Sequence, residues 1–128
     1  MAVVRETRTL QLPLDLPAVR TARRAVNEWL DDAPEELRSN AALVATEMVS
    51  NAIRYGRPPI RLELVREEDH VRLVVRDDGG GEPKQRPPGA AGGWGLHIVE
   101  RLATRWGAAA GTTEVWAEID ARSARADL

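Results

Sequence analysis

The chain has no cysteine, no phenylalanine, one lysine and no marked excess of either charge. Without cysteine there is no disulfide framework, thiol nucleophile or thiolate metal site, and the absence fits a reducing compartment. Lys84 is the only lysine among 18 basic residues, and the rest are arginine. Arginine is the better fork for anions, but GC-rich codon usage gives the same bias, and that reading is preferred. Acidic residues number 20, so the net charge is −2. Gripping nucleic acid by its phosphates needs a clear cationic excess, so no direct nucleic-acid partner is expected. No run approaches the ~18 apolar residues of a spanning helix, and Met1–Gln11 lacks the apolar centre of a signal peptide. The expectation is a cytoplasmic protein with no membrane partner.

What is present suits one ordinary core. The 128 residues are 43% apolar and 30% charged, which predicts a single domain over 1–128. Thr7–Leu12 reads as a strand, and Pro17–Leu30 as an amphipathic helix carrying Val19, Ala22, Val26, Trp29 and Leu30 at helical spacing. A second helix from Glu35 to about Tyr55 aligns Leu37, Ala41, Val44, Met48 and Ala52 and ends at Gly56-Arg57-Pro58-Pro59. The period then changes to two. Ile60, Leu62 and Leu64, then Val71, Leu73 and Val75, predict an antiparallel hairpin turning at Arg66–His70. Asp77–Gly93 holds six glycines and three prolines, too many for regular structure. Gly95–Ala103 resumes a helix, Thr113–Ile119 alternates as a last strand, and residues 121–128 are polar enough to fray. The order implies an α+β fold, a two-layer sandwich whose mixed, mostly antiparallel sheet carries its helices on one face. A loop of this length in so small a domain is generally functional or disordered.

Two features carry chemistry. Glu47 and Asn51 are four residues apart, so both leave one face of the second helix at the border of its apolar stripe. A carboxylate and an amide there can share a hydrated divalent cation or orient a water, although such a pair taken alone reads as a solvated surface pair. The glycine clusters change that balance. Asp77-Asp78-Gly79-Gly80-Gly81 leaves a strand end, and Gly92-Gly93-Trp94-Gly95 enters a helix, where free backbone N–H groups favour an anion. Neither the P-loop nor the dinucleotide fingerprint is present. His70 and His97 have no partner at metal-ligand spacing, and Arg20, Arg23 and Arg24 read as a solvated helix face.

Taken together, Glu47-Met48-Val49-Ser50-Asn51-Ala52, Asp77-Asp78-Gly79-Gly80-Gly81 and Gly93-Trp94-Gly95-Leu96 resemble the three boxes of the GHKL (Bergerat-type) ATP-binding fold. Val44-Ala45-Thr46-Glu47 and Trp94-Gly95-Leu96-His97-Ile98-Val99 most resemble bacterial anti-sigma-factor serine/threonine kinases within that group. The resemblance implies ATP and Mg²⁺ as cofactors, with Asn51 holding the metal and Glu47 as general base. It implies that Asp77 accepts the adenine amino group, that Gly79 and Gly81 let the chain pass the base, and that Gly93, Gly95 and Leu96 wrap the phosphates. A lid over 79–93 would close on the nucleotide, with Glu82–Ala91 ordered only when it is bound. The chain departs from the pattern at Tyr55, where the family often has histidine, and at Thr113, one residue before the usual place of the threonine closing the adenine site. The implied partners are a sigma factor, which the protein would sequester, and an antagonist protein phosphorylated on serine or threonine; a homodimer is left open. The alternatives are an ATP-gated binding module without catalysis and a detached histidine-kinase-like ATPase domain.

Overall fold

Alternating apolar and polar residues build strands whose apolar sides must be covered, and in this chain three helices cover them. The description is of residues 5–12, 17–79, 92–108 and 114–121 of a computed structural model, with the side chains of 92–96 left aside. Along the chain come β1 (Glu6–Leu12), α1 (Pro17–Trp29), α2 (Glu35–Tyr55), β2 (Ile60–Arg66), β3 (His70–Arg76), α3 (Gly92–Leu102), β4 (Arg105–Ala108) and β5 (Glu114–Asp120). The strands form one open sheet in the order β1-β2-β3-β5-β4, every described pairing being antiparallel. The expected α+β sandwich is found, its sheet purely antiparallel among the described residues. The expected lid over 82–91 lies outside them, as does the expected tail 121–128 except Ala121, whose N–H donates to the Asp69 carbonyl at 2.8 Å.

The covered face of the sheet is written in the alternation. Ile60, Leu62 and Leu64 on β2, Val71, Leu73 and Val75 on β3, and Val115, Ala117 and Ile119 on β5 all join the buried core. Facing them are Ala18, Ala22 and Val26 from α1, the stripe Leu37, Ala41, Val44, Met48 and Ala52 from α2, and Val99 from α3. Each large aliphatic side chain so buried contributes about 1.5–3 kcal/mol of transfer free energy. α2 starts without a side-chain cap at Pro34, and Glu35 and Glu36 in its first turn complement the helix dipole instead. At its other end the Gly56 N–H donates to the Ala52 carbonyl at 2.6 Å.

Two elements differ from the expectation. β4 is an additional edge strand: Arg105-Trp106-Gly107-Ala108 shows no apolar alternation, and only pairing with β5 makes it a strand. α3 begins at Gly92, earlier than Gly95, because a glycine-rich first turn has no side-chain period from which a helix could be read.

Among the described residues the other sheet face carries no helix. Val65 and Val74 are buried yet stand outside the core cluster, beside their cross-strand neighbours Arg72 and Trp116. The Arg72 guanidinium lies 4.6 Å from the centre of the Trp116 ring, and Gly107, paired with Trp116, leaves room for that ring.

Candidate functional site

Strand directions bring several chain ends to one edge of the sandwich. In register, Leu12 faces Ile60, Arg61 faces Arg76, and Arg76 faces Glu114. The end of β3, the start of β5 and the connection from α2 to β2 are therefore neighbours. Asp77 and Asp78 follow β3 at this edge, and Gly56 and Arg57 follow α2.

The two segments are tied by backbone. The Asp78 N–H donates to the Arg57 carbonyl at 2.9 Å, and the Arg57 N–H donates to Asp77 Oδ1 at 3.3 Å. The Gly79 N–H donates to the same oxygen at 2.7 Å, closing an Asx-type turn. Asp77 is half-buried and its carboxylate is thereby oriented before any ligand arrives.

On α2, Asn51 and Glu47 occupy the expected border of the apolar stripe. Asn51 is 7% exposed and is the one buried polar residue among the described residues. Its side-chain amide makes no hydrogen bond there, yet no fully buried side-chain nitrogen or oxygen lacks a partner. The amide therefore opens to solvent from an otherwise buried position. Buried polar groups in folded proteins are overwhelmingly hydrogen-bonded, so an amide held this way is ready for an external partner. Glu47 is half-buried, and burial pushes its carboxyl above the usual glutamate range, with the Arg54 cation pulling it partly back. Among the described residues no hydrogen bond or ion pair holds it.

α3 packs against α2, and its first turn comprises Gly92, Gly93, Trp94 and Gly95. The first four N–H groups of a helix have no partner within it. The glycines expected at a phosphate thus lie where such donors are found, and the helix start at Gly92 places both Gly93 and Gly95 inside that turn. Gly79 stands at the end of the Asp77 turn. Gly81 and Thr113 lie outside the described residues, as does any contact of the Leu96 side chain. The register nonetheless begins β5 at Glu114, opposite Arg76 and so beside Asp77.

His70 Nδ1 lies 2.9 Å from Asp69 Oδ1, and His97 is exposed. No cluster of three or more potential metal-ligating side chains occurs among the described residues. Arg20, Arg23 and Arg24 line a shallow groove along α1 with Asn27, Glu28 and Asp31. No helix there is long and apolar enough to cross a membrane. Gly56 carries no sequence signal beyond ending α2: its closeness to the Asp77 carboxylate is tertiary and no local pattern reveals it.

Comparison with known proteins bears on the family and the fold. A family model described as histidine kinase-like ATPase domain matches residues 12–119. Among solved structures, a chain described as the RsbU and RsbW domains of Rv1364c from Mycobacterium tuberculosis superposes with a TM-score of 0.66 at 22% identity. The alignment covers 90% of this chain and 31% of that one, so the likeness concerns under a third of the larger protein and speaks to fold. A search of curated proteins finds no match.

Proposed function

The chain belongs to the histidine kinase-like ATPase domain family, and from that premise we propose that it is an Mg²⁺-dependent ATP-binding regulator. It phosphorylates a serine or threonine on an antagonist protein and sequesters a sigma factor. One observation carries the nucleotide site: Asn51, nearly buried, has an amide unbonded among the described residues, on the same helix face as the desolvated Glu47 and on a helix whose end adjoins the fixed carboxylate of Asp77. The Rv1364c fold likeness and the anti-sigma-kinase-like motifs support the regulatory part.

The residues present fit the nucleotide on structural grounds. An Asn51 amide oxygen open to solvent is a hard ligand suited to Mg²⁺, and the Asp77 carboxylate is acceptor-only, matching an exocyclic amino group. In this reading Asn51 holds Mg²⁺, Asp77 selects adenine, and Gly79 and Gly81 pass beside the base. Gly93, Gly95 and Leu96 enclose the phosphates, and Thr113 closes the adenine site. Bound Mg-ATP supplies the transferable phosphoryl group.

Glu47 acts on the substrate hydroxyl. Its carboxylate takes the hydroxyl proton as the oxygen becomes the nucleophile, and its raised proton affinity makes it a stronger base than an exposed glutamate. Phosphoryl transfer asks for little more than positioning and charge neutralisation, which in this reading Asn51 and the α3 N–H groups would provide. The test is incubation of the protein with Mg-ATP and a candidate antagonist domain from a neighbouring gene. Phosphoserine or phosphothreonine on that domain, absent with Glu47→Gln, is the expected result. Nucleotide-dependent partner binding without phosphate transfer would instead assign a non-catalytic, ATP-gated module.

A further inference from the structure

Gly56 follows α2 at φ −103° and ψ −168°, an extended conformation open to any residue. Backbone freedom therefore does not explain a glycine here. Space does. A Cβ built on Gly56 would stand 2.5 Å from Cγ and 2.5 Å from Oδ2 of Asp77, and 2.7 Å from the Ala52 carbonyl oxygen. Real Cβ atoms do not come that close to other heavy atoms.

The Asp77 carboxylate has little room to yield. Its Oδ1 accepts from the Arg57 and Gly79 N–H groups, so a shift away from residue 56 stretches both bonds. The connection itself cannot simply retreat, because the Asp78 N–H binds the Arg57 carbonyl and the Gly56 N–H binds Ala52. The carboxylate is thus seated against a surface with no side chain, clamped between the end of α2 and the end of β3.

We infer that Gly56 is a specificity-positioning residue: its missing side chain seats the Asp77 carboxylate where an adenine amino group is recognised. The inference rests on the assignment of Asp77 to adenine proposed above. Gly56 touches no substrate and acts only through Asp77. A methyl at 56 moves the acceptor, and a misplaced acceptor loses its preference for a donor-bearing base. Guanine offers a carbonyl oxygen in that place, so it gains nothing from the carboxylate and is little affected by its displacement.

Calorimetric titration of the full chain with Mg-ATP and Mg-GTP, with thermal melts alongside, tests this. The variants are Gly56→Ala, Asp77→Ala, their combination and Gly107→Ala. Gly107 is a useful control, since a Cβ there would also crowd a neighbour, the Trp116 ring at 3.1 Å, but away from this edge. Gly56→Ala is expected to weaken Mg-ATP binding at least 10-fold and to bring the ATP-to-GTP preference close to one. Gly107→Ala is expected to leave both affinities unchanged, and Gly56→Ala should cause no further loss of affinity once Asp77 is alanine. If Gly56→Ala does not fold, recovery of folding in the double variant supports the inference, because it shows that the clash with the Asp77 carboxylate, not the approach to the Ala52 carbonyl, was the obstacle. A double variant that also fails to fold overturns it, placing the cause at the Ala52 carbonyl. A folded Gly56→Ala protein with the wild-type preference for ATP overturns it as well. Wild-type protein that binds ATP and GTP equally refutes the Asp77 assignment beneath it, and wild-type protein that binds neither refutes the nucleotide site.

Discussion

Two glutamates show how differently the two sides of this molecule treat charge. Glu118, on the helix-free face of the sheet, accepts from Arg72 Nη1 and Arg105 Nε, each at 2.8 Å. Those hydrogen bonds, Arg105 first, hold its carboxyl below the usual glutamate range. Glu47, on α2, is desolvated without a hydrogen bond among the described residues, and its carboxyl is pushed up. Nearby pairs repeat the contrast: Arg76 binds both Glu114 and Glu63, whereas the Asn51 amide binds nothing among the described residues. The outer face uses polar groups to hold itself together. On α2, Glu47 and Asn51 stand without such partners among the described residues, which costs stability and is common at functional sites.

The largest expected effect separates the two glutamates by function. Glu47→Gln should lower phosphoryl transfer by about 10²–10⁴-fold, the usual worth of a positioned base, and leave Mg-ATP affinity within a few-fold of wild type. Single-turnover transfer with a parallel binding titration measures both. A transfer rate left intact would remove the distinction between the two sides.

Glu118→Ala should do the reverse. It leaves Arg72 and Arg105 without their shared acceptor and should cost about 1 kcal/mol of stability, less at high salt, with nucleotide affinity unchanged. Chemical denaturation at two ionic strengths checks the loss. Because the folded-state carboxyl of Glu118 is lowered, its contribution is present above the unfolded-state pKa and fades as pH falls through the folded value. Variant and wild type should therefore converge in stability on acidification.

The smallest effect concerns Glu47 and has the opposite sign. Its folded-state carboxyl is raised, so its contribution is most favourable at acid pH and is lost as pH rises through that folded value. Glu47→Gln should consequently be neutral or stabilising near neutral pH, by no more than about 0.5 kcal/mol, and lose that advantage in acid. The same shift sets the acid limb of the transfer rate, which should move to higher pH in Arg54→Leu, where the opposing cation is gone. Denaturation curves and a pH–rate profile read these separately.

Much of the fold, and one side of this contrast, could be read from the sequence. Periodicity alone placed α1, α2 and the β2–β3 hairpin, since their apolar residues recur at 3.6 or 2 and the same residues form the core. Glu47 and Asn51 were legible as a border pair because helical geometry fixes their angle to the stripe. β4 was not legible, since Arg105–Ala108 is a strand only through its partner. The start of α3 was hidden because glycine has no side chain to carry a period. The arginine and glutamate ladder of the outer face was equally hidden: Arg72 and Glu118 meet only through the β3–β5 register. The Gly56–Asp77 contact joins residues 21 positions apart through tertiary approach alone.

If the Asn51 amide, unbonded among the described residues, serves a nucleotide, its removal should abolish the response to Mg-ATP. The measurement is the melting temperature of wild type and Asn51→Ala, with and without Mg-ATP. A ligand at 100 times its dissociation constant adds about 2.7 kcal/mol, roughly 10 °C for a domain of this size. The expected result is such a rise for wild type and little or none for Asn51→Ala, with the two ligand-free proteins melting within a few degrees, because the amide holds no protein partner there. An Asn51→Ala protein that gains as much from Mg-ATP as wild type would contradict the account, as would one whose ligand-free fold collapses.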